Sequence, residues 1–372
     1  MSNTASILRS SGLILALCTY TGSALGEITL TESPEGKYIE VGVGMRGAFS
    51  SVQNSMIDTT TENTFSLDSA RLYVSGALNE NISGILNTEI SGPDNAVQVI
   101  DAAGIFQLSS TLSVWAGRFI SPGSRANLAG PFYSLGGGYW QNIAARYGWN
   151  GGVIGRDDGI ALIGTGFDER LAFSFGVFDA ENIFKLSGVE ALSTSPEAAD
   201  ALMYSGRFQY SFWDKEPGYY ATGNYLGTRD ILTIGMAYRY KEDGAISDQE
   251  AGNYSQLTVD FLLEKQLHNG TFSLEAAWFD YDTGGVFLSE EGSSYSIGLG
   301  YIFAGKTGWG QLQPFLLYQN FDAENQLSES RGDAGVNYII DGYNAQLSAK
   351  YSKQTLSDHD VKSISLSLQL QF

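Results

Sequence analysis

The last nine residues, Ile364-Ser365-Leu366-Ser367-Leu368-Gln369-Leu370-Gln371-Phe372, decide how the whole chain is read. Oily and polar side chains alternate there without a break. Successive side chains of a strand point to opposite faces, so Ile364, Leu366, Leu368, Leu370 and Phe372 share one face. Ser365, Ser367, Gln369 and Gln371 share the other. In a water-soluble sandwich the oily face would lie inside; in an exported chain bound for a bilayer it faces out. Residues 1–26 read as the export signal: Arg9, an apolar core from Leu13 to Leu17, and small residues ending Ala24-Leu25-Gly26, with cleavage expected before Glu27. That core is far shorter than the roughly 20 residues a membrane-crossing helix needs. A lipoprotein would use Cys18, but Leu17 precedes it where a small residue is wanted.

The alternation recurs upstream. Tyr343, Ala345, Leu347, Ala349 and Tyr351 alternate with Asn344, Gln346, Ser348 and Lys350. At about 3.3 Å per residue and a tilt near 40°, the eight positions between the tyrosines climb roughly 20 Å, which places both rings at headgroup level. Tyr204, Phe208, Tyr210 and Phe212 form a similar row, as do Leu257, Val259, Phe261 and Leu263. About sixteen such segments are expected, near 38–49, 65–78, 82–91, 96–109, 111–120, 157–167, 170–180, 203–213, 229–241, 254–267, 271–282, 294–304, 311–321, 331–341, 343–354 and 361–372. Connections after even-numbered segments are mostly short and those after odd-numbered ones generally longer, as periplasmic turns and outer loops are. The stretch 214–228 is too long for its side. The expected fold is all-β: one domain, residues 27–372, closed as a transmembrane antiparallel β-barrel.

Composition narrows the partners. Net charge is −20, which argues against nucleic acid. Cys18 is the only cysteine, so disulfides and thiolate metal sites are excluded once the export signal is removed. No cofactor is expected. The sequence holds 45 Gly, 21 Tyr and 20 Phe but only 7 Pro, a balance that suits strands.

In such a barrel Arg46, Arg71, Arg207, Arg239 and Lys350 face inward, with Glu40, Glu89, Asp101, Asp260, Glu264, Glu275 and Asp333, because a cation on the lipid face costs about 2–4 kcal/mol at the midplane. They either tune ion preference or are solvated wall residues. The stretch 121–156 is the strongest site candidate. Arg118, Arg125 and Arg146 lie in or beside it with Tyr133, Tyr139 and Trp140, and Ser134-Leu135-Gly136-Gly137-Gly138 has the backbone freedom to fold inward. These arginines and aromatics either guide an anionic or aromatic solute or pair with wall carboxylates such as Asp101 and pin the loop. Gly155-Arg156-Asp157-Asp158-Gly159 reads as a loop-to-strand junction. The acidic outer positions Glu242, Asp243, Asp248, Glu250, Glu290 and Glu291 read as solvated loops, with divalent cations bridging lipopolysaccharide as the alternative.

Ser69-Ala70-Arg71-Leu72, Val74-Ser75-Gly76, Ala116-Gly117-Arg118-Phe119, Ser124-Arg125-Ala126-Asn127-Leu128-Ala129-Gly130-Pro131-Phe132-Tyr133 and Gly155-Arg156-Asp157-Asp158-Gly159 resemble the phosphate-selective porin O and P family. The resemblance implies a trimeric sixteen-stranded barrel in the Gram-negative outer membrane, whose third outer loop, here roughly 121–156, folds into the lumen. It implies passive diffusion of small hydrophilic solutes or ions, anions among them. It also implies outer-membrane lipid and lipopolysaccharide as neighbours, and recognition of Phe372 by the barrel assembly machinery. Phosphate selectivity does not carry over, because the chain has only nine Lys and few at inward positions. The alternative is a closed structural or adhesive barrel acting through its outer loops. An enzyme is not expected: His268 falls in a short turn, and only His359, between Asp358 and Asp360, could serve a hydrolase.

Overall fold

The computed structural model describes residues 28–372 apart from 33–35, 55–60, 92–95, 138–148, 151–152, 181–199, 217, 247–249, 287–290, 325–327 and 357–358. The expected signal segment 1–26 therefore lies outside the described residues. Sixteen antiparallel strands close into a barrel. In chain order they are β1 Tyr38–Asn54, β2 Thr61–Asn79, β3 Ile82–Ser91, β4 Ala96–Ser109, β5 Leu112–Ile120, β6 Arg156–Gly166, β7 Leu171–Asp179 and β8 Met203–Ser211. The second half comprises β9 Ile231–Ile246, β10 Ala251–Leu267, β11 Gly270–Asp282, β12 Gly292–Phe303, β13 Gly310–Ala323, β14 Glu329–Asp341, β15 Ala345–Leu356 and β16 His359–Gln371. Each pairs with its neighbours in sequence, and β1 closes the ring on β16 from Gly44↔Gln371 to Asn54↔Val361.

The closing seam uses the chain end. Phe372 N donates to Val43 O at 2.9 Å, and Val43 N to Phe372 O at 2.5 Å. Below it a short strand, Ile28–Glu32, pairs with Tyr38–Val41, so the lower part of β1 has no open edge. Hydrogen-bond closure is what a bilayer demands, because lipid offers backbone groups no partner. No helix among the described residues is long and apolar enough to cross a membrane.

Cross-strand pairing puts the oily rows on the outside. Leu347↔Leu368, Ala349↔Leu366 and Tyr351↔Ile364 share the outward face of β15 and β16. Tyr204, Phe208, Tyr238, Trp278, Tyr295 and Tyr318 are exposed on β8 to β13, and such aromatic residues suit a membrane–water boundary. Strand lengths exceed the sequence expectation where hairpins rise past the apolar belt. Thr61-Glu62-Asn63-Thr64 of β2 are all exposed, pair with β1, and carry no alternation, because both faces there meet water.

Two expectations need correction. Tyr343 is not a headgroup anchor: β15 begins at Ala345, so Tyr343 lies in the turn and its ring swings inward to 9% exposure. Nor is the inside uniformly polar. Phe119, Phe178, Tyr254, Phe279 and Phe321 are on inward positions and buried at 0–1% exposure. They pack because chain fills the lumen beside them.

Candidate functional site in the barrel interior

Between β5 and β6 the chain enters the barrel. Ser121 to Leu128 are all buried. A single turn of helix, α1 Arg125–Ala129, is capped by Ser124, whose Oγ accepts from Asn127 N at 3.2 Å, and stopped by Gly130 at φ 65°. Gly123 meets the wall so closely that a Cβ there would stand 2.3 Å from Arg239 Nη2. Only glycine fits.

The inward cations hold this segment by its carbonyls. Arg239 donates to Pro122 O at 3.1 Å and Ser121 O at 3.2 Å, and Arg207 to Gly123 O at 3.1 Å. Arg46 donates to Pro131 O at 2.5 Å and Lys350 to Gly136 O at 3.5 Å. Amides do the same: Gln369 reaches Phe132 O at 3.1 Å and Asn337 reaches Leu135 O at 2.8 Å. Wall strands from both sides of the barrel therefore grip one segment. Arg71 pairs with Glu89 and lies 5.3 Å over the Phe132 ring, while Arg156 pairs with Asp101 at 3.1 Å.

Arg125 sits at 1% exposure, with Nη2 2.8 Å from Glu216 Oε1 and Nη1 2.9 Å from Oε2. Its backbone N–H donates to Asp260 at 3.0 Å, and Asp260 also receives Arg207 at 2.5 and 2.8 Å. Burial alone would lower the Arg125 pKa, but Glu216 and Asp260 outweigh it and raise it. Arg125 therefore pins the segment and does not face a water passage.

Arg118 is a correction. The pairing Arg118↔Asp158, in step with Ala116↔Ile160 and Val114↔Leu162, puts it on the outer wall. It forms a two-bond ion pair with Asp158 at 2.7 and 2.8 Å, the side chains 40% and 55% exposed. Alternation from inward Phe119 forces that direction. Tyr133 is brought inside, its ring 5.0 Å from Tyr343 and its hydroxyl 3.3 Å from Gln371. Tyr139, Trp140 and Arg146 lie outside the described residues.

A second inward segment had no counterpart among the expected site residues. Within the 212–230 connection, between β8 and β9 on the short-turn side, Glu216 and residues 219–225 are turned into the lumen. Tyr219 donates to Ile120 O at 2.7 Å, Gly223 N to Tyr133 O at 2.8 Å, and Tyr225 N to Glu264 at 2.9 Å. Tyr343 donates to Asn224 O at 2.7 Å. Burial pushes the Tyr219 and Tyr343 hydroxyl pKa values up, and burial and Glu216 together raise that of Tyr225. Length was its one signal: too many residues for a turn.

Among the described residues, two water-accessible regions flank this filling. Along β15, β16 and β1, the inward Ser348, Lys350, Ser365, Ser367 and Ser50 are half-buried, and Asp68 above them is exposed. On the other side a cavity of about 340 Å³ opens below Trp115, Tyr219 and Tyr220 among Glu40, Ser113, Thr165, Gln209 and Arg229.

No protein-family model matches the sequence, and no curated protein does. Solved structures share the architecture. OprB of Pseudomonas putida at high pH superposes with a TM-score of 0.59 at 10% identity, over 90% of this chain and 94% of that one. A loop L8 deletion mutant of OmpT, an outer membrane protein of Vibrio cholerae, gives 0.58 at 10% identity over 90% and 99%. The outer membrane channel DcaP of Acinetobacter baumannii gives 0.56 at 9% identity over 92% and 99%. The fold is that of outer-membrane β-barrels.

Proposed function

We propose that the chain is a porin of the Gram-negative outer membrane, a non-enzymatic channel that passes small hydrophilic solutes by diffusion. The observation that carries this reading is the half-buried row of serines, with Lys350, on the inner wall of β15, β16 and β1, inside a barrel whose outer wall is oily. A hydroxyl-lined wall beside a pinned loop gives a narrow aqueous path. Selectivity is weak, because Arg71 and Arg331 stand against Glu89 and Asp333, while Lys350 tilts the path toward anions. The finer resemblance to the phosphate-selective O and P porins is supported by the short motifs between residues 69 and 180 and by Phe372, without the lysine ladder.

The partners follow from the surface. Phe372 serves the barrel assembly machinery, and lipopolysaccharide surrounds the outer rim. The outward faces of β1 to β6 carry Gly47, Ala70, Gly84, Ala102 and Ala116 with few aromatics, and near their outer end stands the exposed Arg118–Asp158 pair. A charge pair facing lipid is unfavourable. We assign this side to contact with further copies of the chain, a homotrimer.

Refolded protein in a planar bilayer is expected to give stepwise ohmic conductance, with a small reversal potential across a salt gradient. No conductance at any voltage removes the channel reading. A second reading then stands, favoured by the two segments and the inward Phe cluster that fill the lumen: a closed barrel acting through its outer loops.

A further inference from the structure

Constriction of the lumen is not the work of the outer loop alone. Other connections on the same side, such as Glu80-Asn81 and His268-Asn269, turn in two residues, whereas 212–230 runs inward and meets 121–137. We propose that the 212–230 connection is the second jaw of the constriction, and that Glu216 is the residue by which it holds the outer loop in place. This rests on the channel reading above.

Several contacts join the jaws. Glu216 takes both Nη atoms of Arg125, at 2.8 and 2.9 Å, and Arg125 Nη1 also reaches Thr222 O at 2.9 Å. Gly223 N donates to Tyr133 O at 2.8 Å. Tyr343, from the turn before β15, bonds to Asn224 O and stacks edge-on against Tyr133, so the seam is fastened to the wall where it crosses. The Glu216 side chain is 3% exposed. A carboxylate so buried is tolerable only while paired, and its removal leaves Arg125 charged and dry beside Asp260. The jaws then part to admit water, and the path widens from the periplasmic side.

Single-channel recording of Glu216→Ala, Arg125→Ala and the double variant tests this, with heat-shifted electrophoretic mobility as the check that each barrel is closed. Both single variants are expected to raise conductance, and the double to fall short of the product of the singles, because each single already breaks the Arg125–Glu216 pair. Unchanged conductance in Glu216→Ala beside a rise in Arg125→Ala overturns the proposal, as does a double variant equal to the product of the singles.

A second measurement needs no current. A Cβ on Gly223 would stand 3.3 Å from Ser134 Cα and 2.9 Å from Glu275 Oε2, so the two segments touch there and a side chain enters once the end of Glu275 swings aside. Ser134→Cys with Gly223→Cys is expected to cross-link on mild oxidation of the folded barrel, read by peptide mass. Failure to cross-link overturns the juxtaposition. A cross-link in a barrel that conducts nothing, with current appearing only in Glu216→Ala, supports the clasp while refuting the open channel.

Discussion

Asp260→Asn tests the interior network most directly. In the native protein Asp260 is 1% exposed and neutralises Arg207 through bonds of 2.5 and 2.8 Å, while its carboxylate also receives the first helical N–H of α1 at 3.0 Å. The amide keeps the volume and removes the charge. Arg207 then has no carboxylate of its own, and Arg125 leans on Glu216 alone. Breaking a buried pair from one side costs about 3–5 kcal/mol. The Arg207 bonds join wall strands β8 and β10 while Arg125 ties the inward segment to Asp260, so part of the loss falls on the free energy that keeps 121–137 docked. At 1.4 kcal/mol per factor of ten, amides of Arg125–Ala129 are expected to exchange with deuterium about 100-fold faster or more. Exchange mass spectrometry in detergent reads this, with strand amides of β10 as the internal reference. Unchanged exchange over 121–130 would show that the wall cations hold the segment without Asp260, and the network reasoning would be wrong.

Three further outcomes follow from the same geometry. Asp158→Ala is expected to weaken self-association more than Arg118→Ala with Asp158→Ala together, because the single change leaves a lone cation on the outer wall; sedimentation in detergent measures it, and unaltered oligomers in both would remove the assigned contact side. Lys350→Ala should move the reversal potential toward cation preference at little cost in conductance, and a shift toward anions would contradict its placement on the path. For Tyr219, Tyr225 and Tyr343, whose native pKa values are raised by burial, the unfolded phenol ionises first, near pH 10. Their contribution to stability is complete below about pH 10 and falls as pH rises toward the native values. Ultraviolet titration is expected to show tyrosines that ionise only as the interior loosens, and a single-stage titration of an intact barrel would count against it.

Much of the site's frame was legible in the chain. The inward direction of Arg46, Arg207, Arg239, Lys350 and Asp260 follows from period two, and each points inward. What they touch does not follow. Arg46 and Arg239 could as well have faced water; they bond carbonyls because 121–137 occupies the lumen. Arg118 misled through its neighbourhood in sequence, being one residue from the inward Phe119 and therefore on the opposite face. Glu216 was invisible as a site residue, since nothing local marks a carboxylate that meets an arginine 91 positions away.

Alternation along Ile364–Phe372 and its fifteen companions determined, without any tertiary knowledge, that this chain is a strand-built wall with an oily side. Local sterics dictate that: a side chain's face depends only on its place in its own strand. Whether the space enclosed is open or filled depended on contacts between distant segments. The pairing of Arg125 with Glu216 and Asp260, and the burial of Phe279 and Phe321, came into view only once the ring was closed and two connections were found inside it.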